Sequence, residues 1–232
     1  MNLWWLERMR LWRTQRWLIV VSVYVVFGIL GPLTAKFLPE IIESIDETAI
    51  GQLPEFTPED GITQYMGNIA QLGLLAVAFV AASALAFDAK LEMAIFLRTR
   101  ATVRQIFTPR FVMNAGLAIA AFILGMVCAY VGTGILLGWV DLGAVVVGTL
   151  LYSLYLVLVV AVLGFFASFL RSVPAVALLT VATMIAIGVL GLLPNLAPWL
   201  PSELVGAIDI LTRGGGFEFW RATIVTIVVI AA

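Results

Sequence analysis

An all-α, polytopic membrane protein is the fold class this sequence predicts, on three observations. Hydrophobic residues fill 62% of its 232 positions and charged residues 12%, against roughly half apolar and a quarter charged in a soluble domain. The mean hydropathy is +1.10. The apolar residues are also gathered into long runs, and about 20 in a row let an α-helix cross the hydrocarbon core. Barrel strands would alternate apolar and polar residues. These runs, rich in Val, Leu, Ile, Ala and Gly, do not.

The elements follow in order. Residues 1–16 read as a cytoplasmic or interfacial segment. Trp5, Met9 and Trp12 share one helical face, with Arg16 also on it, the mixture that lays a helix in the membrane interface. The first span, 17–38, is too long for a signal-peptide core of about 7–15 residues. No small-x-small site ends it, so it reads as an uncleaved helix. Gly31-Pro32 predicts a bend or break near its outer end. An acidic, proline-punctuated loop follows over 39–65. Further spans read at 66–87, 111–137, 142–170, 173–193 and 219–232. The last is odd, because Trp220–Ala232 would rise only about 20 Å as a helix.

Charge sets the orientation. Arg8, Arg10, Arg13 and Arg16 precede the first span, and Lys90, Arg98, Arg100, Arg104 and Arg110 occupy the 88–110 loop. Basic loops stay inside, which places the N-terminus, this loop and Arg171 in the cytoplasm and the 39–65 and 194–218 segments outside.

Several functions are excluded by what is missing. The chain has no histidine, the commonest metal ligand and the usual proton carrier near neutral pH. Its lone cysteine, Cys128, lies in an apolar run and reads as a small hydrophobe. No GxxxxGK[ST] loop exists to cradle a nucleotide. A membrane enzyme would need Asp, Glu, His or Cys clustered at one depth. Asp88 and Asp141 sit at predicted span ends, whereas ion-coupled carriers place ionisable groups near the midplane. A substrate path would then be lined by weakly polar groups, with Ser83, Tyr152, Tyr155 and Thr183 the candidates and Ser22, Ser153 and Thr180 beside them. The competing reading is that Ser and Thr bond their own helix or a neighbour. Gly134/Gly138 and Gly164/Ser168 permit close helix approach, read first as packing within the subunit.

The 88–110 loop is longer than a turn requires and keeps an apolar stretch, Met93-Ala94-Ile95-Phe96-Leu97. Such a stretch suits a short helix that packs against something. Asp88, Met93–Leu97, then Arg98, Arg100 and Arg104, then Arg110 stand in an order that resembles the coupling region of ABC-2-type transporter permeases. Leu91 stands where that family often has glycine and Arg100 where it often has proline. Leu11-Trp12-Arg13-Thr14 with Gly31-Pro32-Leu33 resembles the family's N-terminal region. Pro198-Trp199-Leu200-Pro201 with Leu204–Leu211 resembles its external, partly re-entrant segment.

The resemblance implies a six-helix transmembrane domain with an N-terminal interfacial helix and a cytoplasmic coupling helix. Glu92, Met93, Ile95, Phe96, Leu97, Arg98, Arg100 and Arg104 would contact a separate ATPase subunit, which carries the ATP and magnesium. A second permease subunit, identical or related, would complete the pathway in the cytoplasmic membrane, in the exporting direction. No cofactor on this chain and no nucleic-acid partner are expected. The alternative function is a non-transport structural subunit of a larger membrane complex.

Overall fold

Hydropathy marks where a chain meets lipid, whereas caps mark where its helices begin. The two differ here by up to two turns. The computed structural model describes residues 3–45 (backbone alone for 39–45), 57–86, 99 and 102–231. Among them every regular element is helical. The α-helices are α1 Leu3–Thr14, α2 Arg16–Ile45, α3 Pro58–Asn68, α4 Leu74–Leu85, α5 Val103–Leu136, α6 Leu142–Phe169, α7 Val173–Leu190, α8 Glu203–Thr212 and α9 Trp220–Ala231. A π-turn, Ile69–Gly73, joins α3 to α4, and a 3-10 turn, Ala197–Trp199, precedes α8.

Among the described residues five segments are long and apolar enough to cross a membrane: Arg16–Leu38, Pro58–Leu85, Val103–Leu136, Leu142–Phe169 and Val173–Leu190. The sixth predicted span is the 12-residue α9 among the described residues. It rises about 18 Å, short of a core of about 30 Å.

Two helices begin earlier than the apolar runs. At α3, Thr57 is the N-cap and Pro58 opens the helix, where a missing N–H costs nothing. The Asp60 carboxylate accepts from the Thr57 N–H at 2.8 Å and from its hydroxyl at 3.1 Å. At α5, Thr102 and Gln105 exchange bonds as a capping box: Gln105 N–H donates to Thr102 Oγ1 (3.4 Å) and Thr102 N–H to Gln105 Oε1 (3.0 Å). The second and third spans are thus extended back to Pro58 and Val103.

Of the bend or break read at Gly31-Pro32, a break is absent: α2 continues through it to Ile45. Proline is tolerated in a membrane helix where neighbouring helices support it. Here a Cβ on Gly31 would lie 2.9 Å from Tyr65 N of α3, and one on Gly132 of α5 would lie 3.2 Å from Pro32 Cγ.

The Pro58–Leu85 and Leu142–Phe169 spans are the interior of the bundle, each 56% buried against 22–39% for the other three. Helix α6 packs on α4, α5, α7, α8 and α9, while α2 lies along α5 and α3. At mid-depth the Phe122 ring, fully buried, stacks on Tyr65 (centroids 6.2 Å), meets the edge of Tyr24 (6.1 Å) and tilts against Tyr152 (4.5 Å). The Tyr65 hydroxyl donates to the Phe122 carbonyl at 3.1 Å. The π-turn ends where α4 passes this cluster, and a Cβ on Gly73 would lie 3.0 Å from Tyr24 Cζ.

Helix α8 buries Leu204, Ala207 and Ile208 against α6. A Cβ on Gly148 would sit 2.8 Å from Ile208 Cα. Gly148 is six residues into α6, so α8 reaches about 9 Å down its length. Gly148→Val therefore dislodges α8. With Cys128 removed, a cysteine at Ala207 becomes several-fold more reactive to maleimide in the Gly148→Val background, and unchanged reactivity would show that α8 is not held by this contact.

Candidate functional site

The described charges collect at the two ends of the bundle. The end bearing the N-terminal arginines, Arg110 and Arg171 is the basic end, and the end bearing Asp60, Glu203, Asp209 and Glu218 is the acidic end.

At the basic end α1 folds back on the bundle through Gln15, whose φ of 51° makes a left-handed turn between α1 and α2. Only a side-chain penalty of about 1–2 kcal/mol opposes that conformation in a non-glycine residue. The fold-back turns Glu7 inward, to 6% exposure. Its carboxylate accepts from Arg10 Nη1 at 2.8 Å and lies 3.5 Å from Arg110 Nε of α5. Arg10 Nη2 donates to the Ser83 carbonyl at 2.8 Å and Arg110 Nη1 to the Ala84 carbonyl at 3.1 Å. Arg16 Nη1 donates to Ser83 Oγ. These carbonyls belong to the last turn of α4, whose acceptors have no partner within the helix and carry its negative dipole end. Guanidinium groups from α1 and α5 satisfy both needs.

The result is one ionic clasp joining α1, the end of α4 and the start of α5. The two roots of the 87–101 connection are thereby bound to the same group of charges. Arg110 does not stand just before a helix, as the span read at 111–137 would place it. It lies two turns into α5, because the Thr102 cap starts the helix earlier.

The candidate coupling residues Glu92, Met93, Ile95, Phe96, Leu97, Arg98 and Arg100, with Asp88, lie outside the described residues. Arg104 is exposed in the first turn of α5. On α1, Trp4, Trp5, Leu6 and Trp12 are exposed, 42–66% each, so the aromatic side faces away from the bundle and Glu7 and Arg10 face it.

The four residues assigned to a substrate path do not share a cavity. Tyr152 and Tyr155 are buried in the core, with centroids 5.7 Å apart. Ser83 is part of the basic-end clasp, and its hydroxyl also donates to the Val80 carbonyl at 2.6 Å. Thr183 is half-buried on α7 and donates to the Leu179 carbonyl at 2.8 Å. Ser153 and Thr180 likewise bond their own helices. Gly164 accommodates the Phe107 ring, a contact within the subunit.

At the acidic end Arg213 binds Asp209 (2.8 Å) and Asp60 (2.7 Å), and Thr63 Oγ1 donates to Asp209 Oδ1 at 2.6 Å, tying α8 to α3. Hydrogen bonds donated to Asp209 and then to Asp60 push the Arg213 guanidinium further up, and burial pushes the Glu203 carboxyl up. Among the described residues no group of three His, Cys, Asp or Glu is placed to hold a metal.

Sequence reading missed Glu7. Its signal was its isolation, as the one acidic residue before Pro39.

The apolar helices make this a polytopic helical membrane protein. The chain is 24% identical over 227 residues to an uncharacterized transmembrane protein, YxlG, of Bacillus subtilis (strain 168), with 94% of this chain and 87% of that protein covered. No family model and no solved structure matches the chain.

Proposed function

We propose that this chain is the membrane-spanning permease subunit of an ABC transporter of the ABC-2 type. Its basic end faces the cytoplasm, in keeping with the retention of basic segments on that side. It works with a second permease subunit and with ATPase subunits that carry the ATP. The transport step is mechanical: a push by the ATPase on the connection between α4 and α5 moves the bundle, which exports a substrate.

The observation that carries this reading is the clasp at the basic end. Arg10, Arg110 and Glu7 bind the last turn of α4, the first turns of α5 and α1 into one unit. A force on the intervening segment is then passed to three helices at once. The apolar Met93–Leu97 stretch, set in a segment of the sequence otherwise rich in arginine, supports it further.

The test is whether an ABC-type ATPase co-purifies with the wild-type chain and whether Phe96→Asp loses it. An unpaired charge in a dry contact costs several kcal/mol, enough to lower ATPase retention more than tenfold. Thermal stability of the membrane subunit stays unchanged. Full retention of the ATPase by the variant, or no ATPase bound by the wild type, would remove this reading and leave a structural subunit of another complex.

A further inference from the structure

Helix α3 and the π-turn after it carry amide side chains on the side that the bundle leaves uncovered. Their covered side buries Ile62, Tyr65, Met66 and Ile69. The uncovered side holds Gln64, Gly67, Asn68 and Gln71, with Gly67 and Gln71 exposed and the other two half-buried. Among the described residues no hydrogen bond reaches the side chain of any of the three amides. The basic-end clasp fixes their depth, because it holds the Ser83 and Ala84 carbonyls. Gln71 precedes Ser83 by 12 residues and Asn68 by 15, about 18 and 22 Å along the helix. Hydrocarbon is about 30 Å thick, so both amides lie inside it and Gln71 lies near its middle.

Acyl chains give an amide nothing to bond, and a polar group unmet in hydrocarbon is costly. At comparable depth other open faces are apolar, with Val26 and Ile29 on α2 and Ile123 and Val127 on α5. The helices that pack on α3 and the π-turn are α2, α4, α5 and α8, whereas α9 packs on α6, α8 and the 3-10 turn. The amide face therefore calls for a polar partner from outside the subunit. Two properties say which. An amide both donates and accepts, so a face of amides is complementary to itself. A twofold axis along the membrane normal sets each residue opposite its own counterpart at one depth. The second property belongs to Gly67. Glycine weakens a helix interior, and no neighbour in the subunit requires it here, since a Cβ would meet nothing within 4 Å. Set among amides, it lets a second backbone come close.

The geometry points to a contact between two copies of this chain, made by the face of α3 and the π-turn, with Asn68 and Gln71 hydrogen-bonded across the twofold axis inside the membrane. The contact needs no ATPase. That it makes the second permease subunit an identical chain rests on the proposed function. Amides buried between helices also fix the register of the pair, because sliding one helix along the other leaves donors and acceptors unmatched in a medium without water.

The experiment has two arms. In membranes, the full chain with Cys128→Ser and one new cysteine is oxidised, and disulfide-linked dimer is followed on a denaturing gel. Gln71→Cys links readily, whereas Val127→Cys, exposed on α5, does not. In detergent, association of the otherwise native chain is measured by energy transfer between labelled copies. Asn68→Leu and Gln71→Leu each weaken it about fivefold, the worth of one interhelical hydrogen bond. Both leave the melting of the monomer unchanged, since neither side chain bonds within the subunit. A monomeric wild type would overturn the proposal, as would a disulfide that forms no faster at Gln71→Cys than at Val127→Cys. So would rapid labelling of Gln71→Cys by a membrane-impermeant maleimide, the sign of a water-filled path on this face. A dimer that links through Gln71→Cys but binds no ATPase would remove the permease reading and leave this contact standing.

Discussion

Gly125→Leu prevents α2 from packing on α5 and gives the largest loss of stability of any single substitution considered for the spans. The two helices meet at Gly28 and Gly125. A Cβ on Gly28 would lie 3.1 Å from Gly125 Cα and closer still to its carbonyl oxygen. One on Gly125 would lie 2.5 Å from the Tyr24 carbonyl oxygen and against the Tyr65 hydroxyl. The obstacles are backbone atoms of a neighbouring helix, which cannot rotate away as a side chain end can. In a bilayer the attraction between helices comes from close packing rather than from expulsion of water. Separating the backbones by the width of a side chain therefore removes most of it. The cost is about 3 kcal/mol or more, above the usual overpacking penalty because nothing flexible is available to yield. Gly116→Leu is the internal control, since a Cβ there meets nothing within 4 Å and the residue is exposed on the same helix. Melting in detergent should separate the two variants by roughly 6–12 °C for a chain of this length, and equal melting temperatures would sink the argument.

The spans were legible because lipid imposes a composition on whatever crosses it. The starts read at Trp17, Leu142 and Val173 fall within a residue of those of α2, α6 and α7. The starts of α3 and α5 were misplaced because hydropathy reports the thickness of the hydrocarbon. A helix goes on for as long as its hydrogen bonds are capped, and Thr57-Pro58-Glu59-Asp60 and Thr102-Val103-Arg104-Gln105 are both cap sequences. The Gly31-Pro32 break was a local inference overruled by tertiary support from α3 and α5. The polar residues Ser83 and Thr183 were taken for a path because their partners are backbone carbonyls, which a sequence does not reveal. Glu7 was hidden for a different reason. A charge in a basic segment is ordinarily solvated, and only the fold-back at Gln15 brings it to Arg110.

Glu7→Ala releases α1 from the bundle. Glu7 and Arg110 have side chains only 7% and 12% exposed, so neither charge is well hydrated, whereas Arg10 is 31% exposed. Removing one member of a buried pair takes a counter-charge from the other while it stays desolvated, which costs more than the pair contributes while intact. Two arginines lose their shared carboxylate at once, and they repel each other across the space it filled. The expected loss is about 2–4 kcal/mol, toward the lower end of the range for buried pairs because Arg10 can turn to solvent and Arg110 keeps the Ala84 carbonyl. Arg10→Ala costs less, about 1 kcal/mol, since it removes hydrogen bonds from a half-exposed side chain. Limited trypsin digestion reads the release directly. Arg8, Arg10 and Arg13 lie in α1, and cleavage there should quicken at least tenfold in Glu7→Ala while the spans stay intact. A charge exchange, Glu7→Arg with Arg110→Glu, should recover part of the protection, because it restores an opposite pair in the same place. Wild-type digestion of Glu7→Ala would mean that α1 is held by its other contacts with α2 and α5, and that the clasp does not tie the connection between α4 and α5 to the N-terminus.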